Sequence, residues 1–297
     1  MSTTRAAVVP QVSRAAAYLA LTKPDVSFLV VMTTAAGFYL GSRGPVDLAR
    51  LAHAVFGTTL VAAGTSALNH YVERATDARM RRTVSRPLPS GQLTPAEALW
   101  FGLGLVVTGT IYLALAVGAL AGLLGLATCL SYLGAYTPLK KRTTLATLVG
   151  AFPGAAPPLI GWAAASGSLS AGAWILYAML FLWQFPHFLA IAWMYREDYA
   201  RAGIRMLPVV DPSGAATYRR VLLAALVLLP VSLLPALMGM AGVRYFFGAI
   251  VLGAALVQVC LWAARSKTNV RAKWLMHATV LHLPLLLGLW MLDKTSR

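Results

Sequence analysis

The chain has 297 residues, of which 59% are hydrophobic and only 11% charged, with a mean hydropathy of +0.70. Soluble domains carry about 25% charged residues, so this chain cannot cover a water-facing surface, which excludes an ordinary soluble enzyme, a disordered protein and a secreted disulfide scaffold. The net charge of +16, from 25 Lys and Arg against 9 Asp and Glu, suggests nucleic acid at first sight, but in so apolar a chain the basic bias of cytoplasmic membrane loops explains it better.

A membrane-spanning helix needs about 20 mostly apolar residues. Windows of that kind predict nine helices in chain order, near 25–42, 51–72, 96–116, 119–138, 145–165, 172–194, 221–241, 245–264 and 274–292. The segment before the first carries Arg5 and Arg14 but no sustained apolar run ahead of a cleavage site. It reads as a cytoplasmic lead-in, not as a signal or mitochondrial targeting peptide. Pro153, Pro157 and Pro158 in the fifth window and Pro230 and Pro235 in the seventh are tolerated where neighbouring helices satisfy the freed backbone groups. Cys129 and Cys260 lie in apolar stretches and read as small hydrophobes. With nine spans, 20 of the 25 basic residues fall on the N-terminal side and 5 on the other, which predicts a cytoplasmic N-terminus and an external C-terminus. The expectation is an all-α, polytopic protein in which residues 1–297 form one integral membrane domain.

The two long loops, near 73–95 and 195–220, both fall on the predicted cytoplasmic side, and loops carry function more often than spans. Asn69, Glu73 and Asp77 are spaced i, i+4, i+8, which lines three oxygen-bearing side chains along one helical stripe about 12 Å long. Hard oxygens in such a row suit Mg²⁺ shared with phosphate oxygens; a solvated helix end with Glu–Arg pairs is the plainer alternative. The residues that follow favour the first reading. Arg79, Arg81, Arg82 and Arg86 come within one short stretch, and carboxylates beside guanidinium forks describe a diphosphate site. Tyr136, Thr137, Lys140, Lys141 and Arg142 end the fourth span, and Glu197 and Asp198 open the second long loop. Four of the nine acidic residues thus stand at two loop mouths, as two metal-binding corners facing one diphosphate would require.

The helix N-x-x-x-[D/E]-x-x-x-D followed by M-x-R-T-x-x-R-P-L-x-x-G resembles the first aspartate-rich motif of the UbiA-type intramembrane prenyltransferases. Within that superfamily the chain is similar to the haem-farnesylating branch, the protohaem IX farnesyltransferases. Thr22-Lys23-Pro24, Tyr136-Thr137-Pro138-Leu139-Lys140, the run from Gly154 to Trp162, the run from Trp183 to Trp193 (WQFPHFLAIAW), Asp198-Tyr199 and Met206-Leu207-Pro208-Val209 carry the likeness over most of the chain. Two positions depart from the pattern: Glu73 stands where the family usually has Asp, and Ala202 breaks the superfamily's second D-x-x-x-D spacing.

The resemblance implies about nine helices around a central cavity in the cell inner membrane, with the active-site loops cytoplasmic. It implies that farnesyl diphosphate alkylates a vinyl group of haem b, with addition of water, to give haem O for terminal oxidases. Haem A synthase or terminal-oxidase assembly would be the protein partners, and nucleic acid none. Mg²⁺ would be held by Asn69, Glu73, Asp77 and Asp198, with Glu197 beside them, and Lys23, Arg82, Arg86, Lys140 and Lys141 would contact the diphosphate. Cations placed at the leaving group stabilise the transition state more than the substrate. Tyr132, Phe152, Trp183 and Phe185 are candidates to line an aromatic cavity beside a developing carbocation, or they pack the bundle. His187, an ionisable residue within a span, is a functional candidate by default and imidazole is a common haem-iron ligand; a hydrogen-bonded core histidine is the alternative. His277 and His282, i and i+5 in the last span, fit one shared site poorly, and His53 reads as structural. A prenyltransferase with another acceptor, such as an aromatic acid or a chlorin, is the second reading. A transporter or oxidase assembly factor is the third, though a transporter should show charges or broken helices near the midplane.

Overall fold

The computed structural model describes residues 13–295; the expected lead-in with Arg5 and the C-terminal Arg297 lie outside the described residues. Two helices precede the first loop, a short α1 (Arg14–Leu21) and α2 (Pro24–Gly41). Ser13 caps α1 by accepting the Ala16 N–H at 3.3 Å, and Pro24 opens α2 where a missing N–H costs nothing. The 30-residue α3 (Leu48–Asp77) is about 45 Å long. It outruns a hydrocarbon core of about 30 Å, and so carries Asn69, Glu73 and Asp77 out to the mouth of the bundle. Polar residues in those last turns lower the hydropathy, which is why the sequence window stops near 72.

After the first long loop, a Thr94–Glu97 capping box starts α4 (Pro95–Ala116). The next span is interrupted: α5 (Ala119–Ser131) passes through a π-helical turn at Tyr132–Tyr136 into α6 (Thr137–Leu139). Pro138 lacks an N–H and its ring collides with the carbonyl four residues back, so the helix widens by one residue there. The fifth predicted span is also two pieces, α7 (Ala146–Gly154) and α8 (Pro157–Ser166), separated at Ala155–Ala156 ahead of the Pro157–Pro158 pair. Small residues then let α8 lie against α2: a Cβ on Gly161 would stand 1.9 Å from the Thr34 carbonyl oxygen.

The rest of the chain is α9 (Ala171–Met194), two short helices α10 (Arg196–Arg201) and α11 (Leu207–Val210), and three long helices α12 (Ala215–Leu237), α13 (Val243–Ser266) and α14 (Asn269–Leu292). Among the described residues, nine segments are long and apolar enough to cross a membrane, and the only strand-like pairing is an isolated bridge between Ala241 and Lys294. One apolar core joins α9, α12, α13 and α14 around Leu176, Leu228, Tyr245 and Trp290. A second joins α2, α3, α4, α5 and α8 around Phe38, Val61 and Leu113. Both involve α2 and α8, which tie the two halves together. A small cluster of Met80, Ala192, Ala202, Ile204 and Met206 packs the two long loops onto each other, and this packing assembles the site.

Candidate active site

The α3 stripe meets one cation at each of its three positions. Lys23 Nζ donates to Asn69 Oδ1 at 3.1 Å, Lys140 Nζ to Glu73 Oε1 at 2.9 Å, and Arg86 Nη1 to both Asp77 oxygens at 2.9 and 2.8 Å. Asp77 and Asn69 are each 1% exposed, and a carboxylate as enclosed as Asp77 is costly to leave without its partner. The alternative of a solvated helix end is therefore excluded.

Local structure explains how the cations arrive. Among the described residues, Lys23 is one of two non-glycine residues with left-handed backbone (φ 47°), a strain of about 1–3 kcal/mol that persists only where surroundings enforce it. The kink between α1 and α2 turns its side chain onto α3. Burial, with the positive charges of Arg86 and Lys140, pulls the Lys23 ammonium down to about 7. Lys140 comes from the far end of the π-turn. Its ammonium sits 4.3 Å from the centroid of the Tyr136 ring and 5.9 Å from that of Tyr132. Burial opposes its charge, but Tyr136, Tyr132 and Glu73 outweigh burial and raise its pKa above the ordinary lysine value. Asn69 Nδ2 also donates to Thr137 Oγ1 at 3.4 Å, and Thr137 Oγ1 to the Tyr132 carbonyl at 2.9 Å. The π-turn and the α3 stripe are thus one hydrogen-bonded unit.

Arg86 comes from the loop after α3, folded back by Thr83 Oγ1 donating to the Asp77 carbonyl at 2.8 Å. That loop is joined to the next one at Asp198. The Arg81 N–H donates to Asp198 Oδ1 at 3.4 Å and the Arg82 N–H to Oδ2 at 3.3 Å, while the Arg201 guanidinium closes an ion pair on Oδ1. Arg82 lies over Tyr195 at 4.6 Å and donates to the Tyr199 hydroxyl at 3.4 Å. The Arg205 N–H donates to the Lys140 carbonyl at 2.8 Å, so the three basic loops form one cap over the end of α3.

The predicted residues separate into those drawn together and those left apart. Asn69, Glu73, Asp77, Lys23, Lys140, Arg86 and Tyr132 share one network, and Asp198 and Arg82 form a second corner joined to it by the loop. Glu197 and Lys141 are exposed, because each is the helical or turn neighbour of an inward-facing residue and points about 100° away. Trp183 is 2% exposed and donates Nε1–H to the Thr279 carbonyl at 2.8 Å, so it anchors α9 to α14. Phe152, Phe181 and Phe185 make a row of tilted and edge-on contacts between α7 and α9. His187 Nδ1 lies 2.9 Å from Thr279 Oγ1. The sequence reading missed the roles of Thr83, Thr279, Tyr195, Tyr199 and Arg201; only Thr83, inside the R-T-x-x-R run, and Tyr199, in the Asp198-Tyr199 pair, carried a signal.

Among the described residues, no three His, Cys, Asp or Glu side chains converge as a ready-made metal cluster. The donor set nevertheless suits Mg²⁺, which takes one or two carboxylates and completes its shell with phosphate oxygens and water. Glu73 and Asp77 offer hard oxygens one helical turn apart, each neutralised by a long basic side chain that has rotatable bonds.

The comparisons give the family and the fold. Residues 30–285 match the family model described as UbiA prenyltransferase family. A protoheme IX farnesyltransferase from Solibacter usitatus is 48% identical over 286 residues, covering 93% of this chain and 98% of the relative. The apo structure of a UbiA homologue from Aeropyrum pernix superposes with a TM-score of 0.72 at 19% identity, covering 90% of this chain and 96% of that one. A UbiA homologue from Archaeoglobus fulgidus, solved with GPP and Mg²⁺, superposes with a TM-score of 0.67 at 15% identity, covering 92% and 99%. Membrane-spanning helices, their order in the fold and the matched motif region together show that this chain is a multi-pass membrane protein belonging to the UbiA prenyltransferase family.

Proposed function

We propose that this chain transfers the farnesyl group of farnesyl diphosphate to a vinyl group of haem b, with addition of water, giving haem O and diphosphate. The carrying observation is the α3 stripe, in which each oxygen donor is paired with its own basic side chain. The acceptor rests on the 48% identical relative, whose name specifies protoheme IX.

In this reading the arriving diphosphate exchanges the partners of the stripe. Lys23, Lys140 and Arg86 turn to its oxygens, with Arg82 and Lys141 at the rim, and the Glu73 and Asp77 carboxylates are freed as ligands. Those two, with Asn69 and the backbone-oriented Asp198, would hold Mg²⁺, whose Lewis acidity stabilises the departing diphosphate. As the allylic C–O bond breaks, negative charge grows on the leaving group among cations already in place, an arrangement worth more in the transition state than in the ground state. The farnesyl carbon bonds to the terminal vinyl carbon. Water then adds at the adjacent carbon and loses a proton, which balances the hydroxyl in the product. Tyr132 beside Lys140 and the Phe152–Phe181–Phe185 row supply aromatic faces that tolerate a nearby cation.

We further propose that residues 1–297 act as one domain in the cell inner membrane, with the capped end of α3 cytoplasmic. The division of basic residues supports that orientation, and a downstream haem A synthase or oxidase assembly step would consume the product. Purified protein incubated with haem b, farnesyl diphosphate and Mg²⁺ is predicted to yield a porphyrin of haem O mass by mass spectrometry. Conversion of an aromatic acid or a chlorin in place of haem b overturns the acceptor assignment.

A further inference from the structure

The hydrogen bonds around Thr279 assign a tautomer to His187. A threonine hydroxyl has a single proton, and Thr279 Oγ1 donates it to the Met276 carbonyl at 2.6 Å. Its 2.9 Å contact with His187 Nδ1 can then be a hydrogen bond only if Nδ1 carries the N–H. A neutral imidazole has one N–H, so Nε2 keeps a lone pair. Thr279 is fully buried and its carbonyl also accepts the Trp183 indole N–H at 2.8 Å. The His187 ring stacks on Trp183 at 5.0 Å with 15° between the planes. Ring orientation and tautomer are therefore both fixed, from one residue of α14.

Among the described residues Nε2 has no hydrogen-bond partner, yet it is not one of the enclosed orphan nitrogens. It is therefore accessible, on the face of α9 that also carries the half-buried Ile191 and Met194 one and two turns nearer the site. His187 stands seven residues before the end of α9, about 10 Å below the mouth. The other histidines differ. His70 has both ring nitrogens enclosed and His282 has Nε2 enclosed, His53 pairs with the Tyr112 hydroxyl at 2.6 Å, and His277 is exposed on the opposite face of α14 from Thr279.

A histidine that donates one ring N–H to a fixed acceptor and presents the other nitrogen bare is the arrangement found at metal-bound imidazoles. We propose that His187 Nε2 is an axial ligand to the iron of the porphyrin acceptor, and that Thr279 is the positioning residue that makes it one. This rests on the acceptor being a haem. Iron lies at the centre of the ring and the vinyl groups at its edge, so a porphyrin anchored at this depth extends an edge toward the diphosphate site.

The test uses purified full-length protein in detergent, titrated with ferric haem b and followed by its Soret band. Wild type shifts the band as an imidazole complex does. His187→Ala loses that shift and regains it with added imidazole. Thr279→Val keeps the shape but not the hydroxyl, and weakens haem binding about tenfold, as loss of a metal ligand's outer partner typically does, while Thr279→Ser stays near wild type. Iron-free protoporphyrin IX binds wild type and His187→Ala alike, which shows that the variant is folded. An unchanged Soret shift in His187→Ala, or unchanged affinity in Thr279→Val, overturns the proposal. If the acceptor reading itself is wrong, wild type shows neither haem O nor a Soret shift; if only the ligation is wrong, haem O still forms and the shift does not depend on His187.

Discussion

The two acidic corners of the site are both built from carboxylates and are held in different ways. Glu73 and Asp77 are gripped by the tips of Lys140 and Arg86, side chains with several rotatable bonds that can swing to another anion. Asp198 is gripped by the Arg201 guanidinium and, in addition, by the backbone N–H groups of Arg81 and Arg82, which cannot move unless the loop moves. The first corner is held by side chains alone and the second by the main chain as well. A carboxylate can be oriented either by a removable cation or from the main chain, and this site uses the first device at one corner and both at the other. Asp198 therefore has a structural duty that Asp77 lacks.

Variants that separate those duties test the contrast. The largest effect is expected for Asp77→Ala, which leaves the half-buried Arg86 without its partner and removes a proposed metal donor. Turnover should fall about a thousandfold or more, by analogy with loss of a preorganised charge at a transition state, with the protein still in the membrane. Asp77→Asn should lose nearly as much turnover while keeping the fold, and wild-type-like rates in both would remove the α3 stripe from the mechanism. Asp198→Ala should also abolish turnover, but with a second signature: faster hydrogen exchange at the Arg81 and Arg82 amides and easier proteolysis between residues 78 and 92. Equal loop protection in Asp77→Asn and Asp198→Ala would erase the difference between the corners.

Lys140→Met comes next. It should raise the KM for farnesyl diphosphate more than tenfold, since one charge-assisted contact contributes about 1.5–3 kcal/mol, and leave the exchange of the Arg81–Arg82 amides unchanged. The smallest effect is at Asp211, a carboxylate held by the Ser213 hydroxyl and by backbone. It accepts the N–H groups of Ala216 and Thr217 at 2.8 and 3.2 Å and so caps the start of α12. Hydrogen bonds from Ser213 and these amides hold its carboxyl below the ordinary value. A depressed folded-state pKa contributes stability that is present above the unfolded value near 4 and is lost as pH falls through the folded one. Asp211→Ala should lower the thermal midpoint by a few degrees at neutral pH, and the gap should close in acid.

Most of the fold was legible because a span is a composition signal, and nine apolar windows appear as nine membrane-length segments. Its interruptions were partly legible. Pro157–Pro158 marks the break between α7 and α8, whereas the extension of α3 to Asp77 was hidden because its functional turns are polar. The α3 stripe was visible as an i, i+4, i+8 spacing. Its partners were visible only as a surplus of bases: nothing local ties Lys140 to Glu73, 67 residues away. The grip on Asp198 could not be read at all, since a backbone N–H belongs to every residue type. Thr279 was equally silent, one threonine in an apolar helix whose role depends on where its single proton goes.

The contrast implies that metal binding at the first corner requires an anion to draw the cations off. The direct measurement is Mn²⁺, standing in for Mg²⁺, titrated into purified protein and followed by electron paramagnetic resonance with and without farnesyl diphosphate. Wild type should retain Mn²⁺ tightly only when the diphosphate is present, and Asp77→Asn should retain little in either case. Equal retention by wild type with and without diphosphate, or undiminished retention by Asp77→Asn, would contradict the account.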